Sequence, residues 1–288
     1  MWFILSLLSA LFQALRNMVM KRIGHALDET INVWGRFTFL LPFAVIGVAI
    51  SGIPPIGKGF SILSVLFGLT QMLGTLCLSK ALKQSHISLV TPLWKLSVLF
   101  LVAWGFFTLG EVPSPLGAAG LTLSLVGVYL LNVNQARISI WAPITAIFKD
   151  TGQRWTLLSA MGYAPSVVLI KKMALLSNPM FAILMGYVFC SVMITPYTLF
   201  RSWNHFAAIG KYWKSFISLG AFAALSTVFG TTAYILTVSS YVEAVKQIEV
   251  LLALVIGHIF FKESATIRVI WIGTVVMLAG LILLKLGT

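Results

Sequence analysis

Charge is scarce in this chain, and negative charge scarcest. Among 288 residues there are 20 Lys and Arg but only 7 Asp and Glu, so 9% of positions are charged, far below the ~25% of a soluble domain. With 59% of the residues hydrophobic, that shortage excludes an ordinary soluble globule and leaves no room for a separate soluble domain. Cysteine is nearly absent as well. Cys77 and Cys190 are the only two, and both fall inside apolar runs, which argues against a disulfide framework or a thiolate metal centre. No cofactor is expected. There is no His-Glu-x-x-His, no Gly-x-Ser-x-Gly and no pair of intramembrane aspartates, so an intramembrane enzyme has no support. A nucleotide-binding loop is also lacking, which argues against primary transport. The amino-terminal Met-Trp-Phe-Ile-Leu has no basic region and no cleavage site after it, and reads as the start of an uncleaved first helix. The net charge of +13 is not gathered into a stripe. The bases lie between apolar runs in ones to threes, as topology determinants do, and nucleic acid is not an expected partner.

What the chain has in abundance is apolar runs near the ~20-residue spanning length. The pattern predicts an all-α polytopic membrane protein with ten spans, over residues 2–20, 31–51, 62–82, 87–109, 116–133, 155–176, 180–200, 216–239, 242–261 and 269–286. Residues 134–154 form the longest connector, with Trp141 and Phe148 suggesting a helix lying on the membrane surface.

The two halves repeat. Leu7-Leu8-Ser9-Ala10 recurs as Leu157-Leu158-Ser159-Ala160, and Lys21-Arg22 as Lys171-Lys172. Gly35 answers Gly186, Gly105 and Glu111 answer Gly257 and Glu263, and Gly120 and Gly127 answer Gly273 and Gly280. The offset drifts only from 150 to 153 and the order never breaks. An odd number of spans per copy makes the second copy enter from the opposite side, so the expectation is two inverted five-helix repeats, 1–134 and 155–288, joined by 135–154.

At this point the chain resembles an EamA-type member of the drug/metabolite transporter (DMT) superfamily. The resemblance rests on Ser88–Glu111, with Thr91-Pro92 and the closing Leu109-Gly110-Glu111, on Arg36 inside the second span, and on the matching close Phe261-Lys262-Glu263. It implies ten helices in two inverted repeats around a substrate cavity at the midplane. The ninth span departs from the pattern, with Ala244 in place of the expected proline. Orientation stays open. Twelve of sixteen connector bases follow odd-numbered spans, which puts both termini outside by the positive-inside rule, whereas the resembled family usually keeps them inside.

The polar residues buried in these spans are the functional candidates. In 241–263, Glu243, Lys246 and Gln247 share one helical face, and Glu249 follows Lys246 by three residues. At about 1.5 Å per residue Glu249 lies near the middle of the hydrocarbon core, where an ionised group costs roughly 2.5–3.5 kcal/mol. Gln13, Arg16 and Asn17 form a stripe on the first span; Tyr163 and Ser166 answer Gln13 and Arg16 in the sixth, near a proline, Pro165, expected to kink it. Arg36, Gln71, Trp94 and Lys95 also lie inside spans. Each has a plainer reading beside the functional one. Arg16 could snorkel, Arg36 could be a structural pair, Gln13, Asn17 and Gln71 could be interhelical glue, and Glu243 could sit at the water interface. Glu111 reads as a helix-end turn residue.

The resulting expectation is a substrate cavity formed by Gln13, Arg16, Asn17, Arg36, Gln71, Trp94, Lys95, Tyr163, Glu243, Lys246 and Gln247, with Trp104 a further aromatic wall and Glu249 the candidate proton carrier. The cationic count favours an anionic or zwitterionic small molecule, with membrane lipid as the other partner. The function expected is secondary transport of a small polar or amphipathic metabolite by alternating access, in the plasma membrane. A flippase for a lipid-linked or amphiphilic solute is the nearest rival, and a channel or receptor a more distant one. Substrate identity, coupling ion, direction of flux and oligomeric state, a homodimer included, stay open.

Overall fold

A computed structural model describes residues 1–131, 150–262 and 267–287. Of the expected surface helix at 134–154, residues 134–149 lie outside the described residues, as does the close at Glu263, while Thr151–Arg154 begin the following span's helix. Everything described is helix, turn or short connection, with no strand. The helices are α1 (Trp2–Gly24), α2 (Glu29–Thr38), α3 (Leu41–Ser51), α4 (Phe60–Gln84), α5 (Ile87–Trp94), α6 (Ser97–Leu109), α7 (Pro115–Leu131), α8 (Thr151–Leu175), α9 (Pro179–Ser202), α10 (Trp213–Leu236), α11 (Ser239–Val245), α12 (Glu249–Phe261) and α13 (Ile267–Leu286). Six stretches among the described residues are long and apolar enough to cross a bilayer, and three shorter apolar helices accompany them. This is an integral, multi-pass membrane protein.

Local chemistry explains most boundaries. Asp150 caps α8 by accepting the Gln153 amide at 2.8 Å, the Asp-x-x-Gln arrangement of a capping box. The helix therefore begins four residues before the apolar run that marked it. Asn178 caps α9 through the Phe181 amide at 2.7 Å, with Pro179 in the first turn. The expected second span is two helices, because Pro42 has no N–H to continue the ladder and sits in the first turn of α3. At Gly110, with φ +66, the chain turns out of α6 as the glycine before Glu111 suggested. The sixth span runs through Pro165 as one helix.

Three long pairings organise the bundle: α1 lies along α10, α4 along α8, and α7 along α13. The last is a glycine seam. A Cβ added at Gly127 would stand 2.3 Å from the Met277 amide nitrogen, and one at Gly120 2.5 Å from that of Leu284. At Gly280 it would stand 2.4 Å from the Ser124 nitrogen. These two helices touch backbone to backbone, as small residues allow within lipid. Hydroxyls tie the other two pairings. Ser9 Oγ donates to the Ser226 carbonyl at 2.8 Å, and Ser159 Oγ to the Gly74 carbonyl at 2.7 Å.

Lysines fasten the helix ends. Lys21 Nζ, at the end of α1, donates to the Ser85 carbonyl at 2.9 Å, in the α4–α5 link. Lys171 Nζ, near the end of α8, donates to the Thr237 carbonyl at 2.6 Å, in the α10–α11 link. Lys171 also pairs with Glu111 at 2.5 Å. Glu111 in turn accepts from the Ser239 amide at 2.9 Å and the Ser239 hydroxyl at 3.0 Å. The residue read as a turn marker is thus the hub of a contact between distant segments.

Candidate functional site

Two of the predicted spans are broken where their charges sit. Between α5 and α6 the chain makes a turn at Lys95-Leu96, just after Pro92, which has no amide hydrogen to donate. Between α11 and α12 the helix tightens to a 3-10 turn over Lys246–Ile248. The second break has neither glycine nor proline to announce it. Interrupted helices at the midplane are where transporters of inverted-repeat type hold their solutes.

Each break carries a lysine, and each lysine has an acid. Lys95 Nζ lies 2.6 Å from Glu249 Oε2, both side chains being 0% exposed. The Glu249 carboxylate also accepts from Gln13 Nε2 at 2.6 Å and from Asn17 Nδ2 at 2.7 Å. Gln13 and Asn17 are one turn apart on α1, so a single helical face supplies both donors. At the other break Lys246 Nζ lies 2.5 Å from Glu243 Oε1. Tyr163 OH donates to the same oxygen at 3.2 Å, and Tyr234 OH donates to it as well. Lys246 in turn donates to both phenols at 3.2 Å. Such pairing and hydrogen bonding is the condition under which ions persist in a low-dielectric interior.

The arginines are held differently. Arg16 donates through Nε and Nη2 to Asn17 Oδ1 at 3.2 and 2.9 Å. Arg36 donates through Nη1 to Thr75 Oγ1 at 3.2 Å, while its Nε is buried without a partner. Among the described residues neither guanidinium forms an ion pair. Both are buried, at 3% and 2% exposure, so Arg16 does not snorkel to the surface. Glu243, at 1% exposure, is likewise covered by protein rather than open to water.

Both arginines border a void between α1, α2, α4, α8, α9 and α10. Its boundary includes Gln13, Gln71, Tyr163 and Lys246 from the sequence-predicted set, together with Ser166 and Tyr187. About 40 Å³ is open to the centre of a water molecule, room for a few waters. Gln71 is fixed across it, accepting from Ser166 Oγ at 2.8 Å and donating to Tyr187 OH at 3.4 Å.

The remaining predicted residues stand behind this lining. Asn17, Lys95 and Glu249 form the buried network beside it, and Glu243 lies behind Lys246 and the two tyrosines. Trp94 packs its ring 4.6 Å from that of Tyr163. Gln247 is fully buried with both amide atoms unpartnered. Trp104 is 46% exposed on the outer face of the bundle, so it provides no wall for this void. Several bordering residues had not been singled out: Tyr187 on α9, and Ser226, Thr227, Thr231 and Tyr234 on α10. Their spacing of one helical turn along 226–234 is a polar stripe of the kind that identified Gln13 and Asn17.

Outside the void, an apolar groove of about 330 Å³ runs between α4, α6 and α8, lined by Leu63, Leu66, Trp104, Pro165 and Leu169 with Lys172 at its border. No group of three His, Cys, Asp or Glu residues that could hold a metal occurs among the described residues.

Three comparisons with known proteins bear on this arrangement. Residues 1–133 match the model of the EamA-like transporter family. No curated protein matches the chain. A solved structure, described only as the crystal structure of a protein, is 14% identical and covers 99% of this chain and 96% of its own, with a TM-score of 0.70. That likeness concerns the fold alone.

Proposed function

We propose, from the match of residues 1–133 to the EamA-like transporter family, that the chain is an EamA-type member of the drug/metabolite transporter superfamily and a secondary carrier moving a small polar or amphipathic metabolite by alternating access. The observation that carries this reading is the polar void. It lies deep among the helices, is bordered by residues from both halves of the chain, and includes Lys246 from an interrupted helix. In this reading the ten spans form two inverted five-helix repeats. The helix ties support it. Lys21 to Ser85 and Lys171 to Thr237 are the same contact in the two halves, as are Ser9 to Ser226 and Ser159 to Gly74.

The solute is anionic or zwitterionic, since four cations face two carboxylates in this core. Glu249 is the candidate proton carrier, and to act as one it must release Lys95, Gln13 and Asn17 on protonation. The plasma membrane is the proposed location. The test is uptake by proteoliposomes holding the purified protein, offered a mixture of labelled amino acids, nucleosides, quaternary amines and phosphorylated metabolites, with and without a pH gradient. Accumulation of one class that saturates with concentration is expected. Uptake no greater than in empty liposomes would end the reading, and gradient-driven uptake preserved in Glu249→Gln would remove the proton role.

The outer groove favours a second reading, a flippase for an amphiphilic solute. Its apolar walls and bordering Lys172 suit an acyl chain with an anionic head. Transfer of a fluorescent amphiphile between leaflets, absent for soluble solutes, would select it.

A further inference from the structure

The two arginines restrict what the void can hold, an inference that rests on taking the void as the carrier's binding site. The two lysines are neutralised, each by an acid at 2.6 Å or less. Arg16 spends two donors on a neutral amide, Arg36 spends one on a hydroxyl, and Arg36 Nε is buried with no acceptor at all. The core therefore carries two positive charges without carboxylates, and both border the same small space. Guanidinium groups present forked donors suited to carboxylate and phosphate oxygens. The neighbours add neutral donors for an oxyanion: the second Nε2 hydrogen of Gln71, and the Tyr187 hydroxyl, whose contact with Thr227 can run in either direction. A cationic end of a solute would find less. Neither carboxylate borders the void; Glu249 is held by the Lys95 ammonium and two amide donors, and Glu243 Oε1 by three donors, while Glu243 Oε2 is buried unpartnered off the void.

We infer that the void binds a compact solute bearing two negative charges, a phosphate monoester or a short dicarboxylate, held between Arg16 and Arg36. The dianion completes the charge balance that the chain's own acids leave unfinished. The small volume limits the bound part to a few heavy atoms in this conformation, so a larger metabolite would place only its charged end there.

Thermal unfolding of the purified full-length protein in detergent tests this, at ionic strength matched with sodium chloride. The probes are methyl phosphate, malonate, alanine and choline. Methyl phosphate or malonate should raise Tm in a saturable way, the responding probe naming the group recognised, while alanine and choline should leave it unchanged. Because a phosphate monoester gains its second charge near pH 6, half-saturation by methyl phosphate should need at least tenfold more ligand at pH 5 than at pH 8. Arg36→Gln should abolish the response, and Lys83→Gln, at an exposed surface pair, should retain it. If Arg36→Gln does not fold, Arg36→Lys should still weaken the response tenfold or more. Equal shifts from alanine or choline, no shift from either dianion, or full response in both Arg36 variants would overturn the inference. Proteoliposome uptake separates its failure from that of the carrier reading. Saturable uptake of choline would sink the dianion site and leave the carrier, whereas dianion binding without any uptake would do the reverse.

Discussion

Removing either member of the Lys95–Glu249 pair should be far more damaging than removing both. The two side chains are 0% exposed and 2.6 Å apart, so Glu249→Leu strands a cation, and Lys95→Met strands a carboxylate, in a medium that solvates neither. Loss of one partner of a buried pair costs about 3–5 kcal/mol, while replacing both with apolar groups of similar volume is often close to neutral. In the double variant the amides of Gln13 and Asn17, one turn apart on α1, can bond each other. At about 2–4 °C per kcal/mol for a chain approaching this size, each single variant should lower the unfolding midpoint by roughly 6–20 °C. The double variant should lie within a few degrees of the parent. Cys190 is 0% exposed, so a thiol-reactive fluorogenic dye reports unfolding directly, with Cys77 changed to Ser so that one site gives the signal. Single variants that unfold within 2 °C of the parent, or a double variant as unstable as the worse single, would show that the pair does not carry the energy ascribed to it.

Three further outcomes are expected. Gly127→Leu should force α7 and α13 apart, because the added carbon already meets the Met277 backbone at 2.3 Å. The cost is about 3 kcal/mol or more, read as a fall in the dye-detected midpoint. Lys171→Met should release Glu111 from the α11 terminus, so that a cysteine placed at buried Ser239 reacts with a water-soluble maleimide at least severalfold faster than in the parent; unchanged labelling would mean the tie does not hold that end shut. Burial alone would raise the Asp28 carboxyl, but hydrogen bonds from the Glu29 backbone amide and the Ser202 and Thr30 hydroxyls outweigh it and hold the group well below the usual carboxylate range. A depressed folded value makes its contribution complete above about pH 4 and lost as pH falls through the folded value. The Tm difference between parent and Asp28→Asn should therefore be full at pH 7 and shrink below pH 4, and a difference that grows on acidification would reverse the assignment.

Much of this molecule is legible in its sequence because lipid imposes one rule on every span. Apolar runs marked the helices, and the scarcity of charge made each buried ion conspicuous. Lys95, Lys246, Arg16 and Arg36 were found that way. What escaped was contact between segments far apart in the chain. No local spacing says that Glu111 meets Lys171, 60 positions on, or that Lys95 takes Glu249. Lys246 has an acid three residues away on either side, Glu243 and Glu249, and spacing alone does not choose between them; the structure pairs it with Glu243. Tyr234 and its hydroxyl neighbours were hidden because Ser, Thr and Tyr within spans usually serve packing. Trp104 was misplaced because an aromatic residue does not reveal which side of its helix meets acyl chains; with Phe106 and Phe107 it lies outward. The turn over Lys246–Ile248 had no breaking residue to betray it.

The narrowness of the central void has a consequence for throughput. In the proposed carrier, a chamber with room for only a few waters makes each solute wait for helices to part and rejoin. Collective helix movements occupy microseconds to milliseconds, which limits passage to roughly a thousand to a million events per second at the very most. Single-molecule currents of the size carried by open pores would overturn the carrier reading.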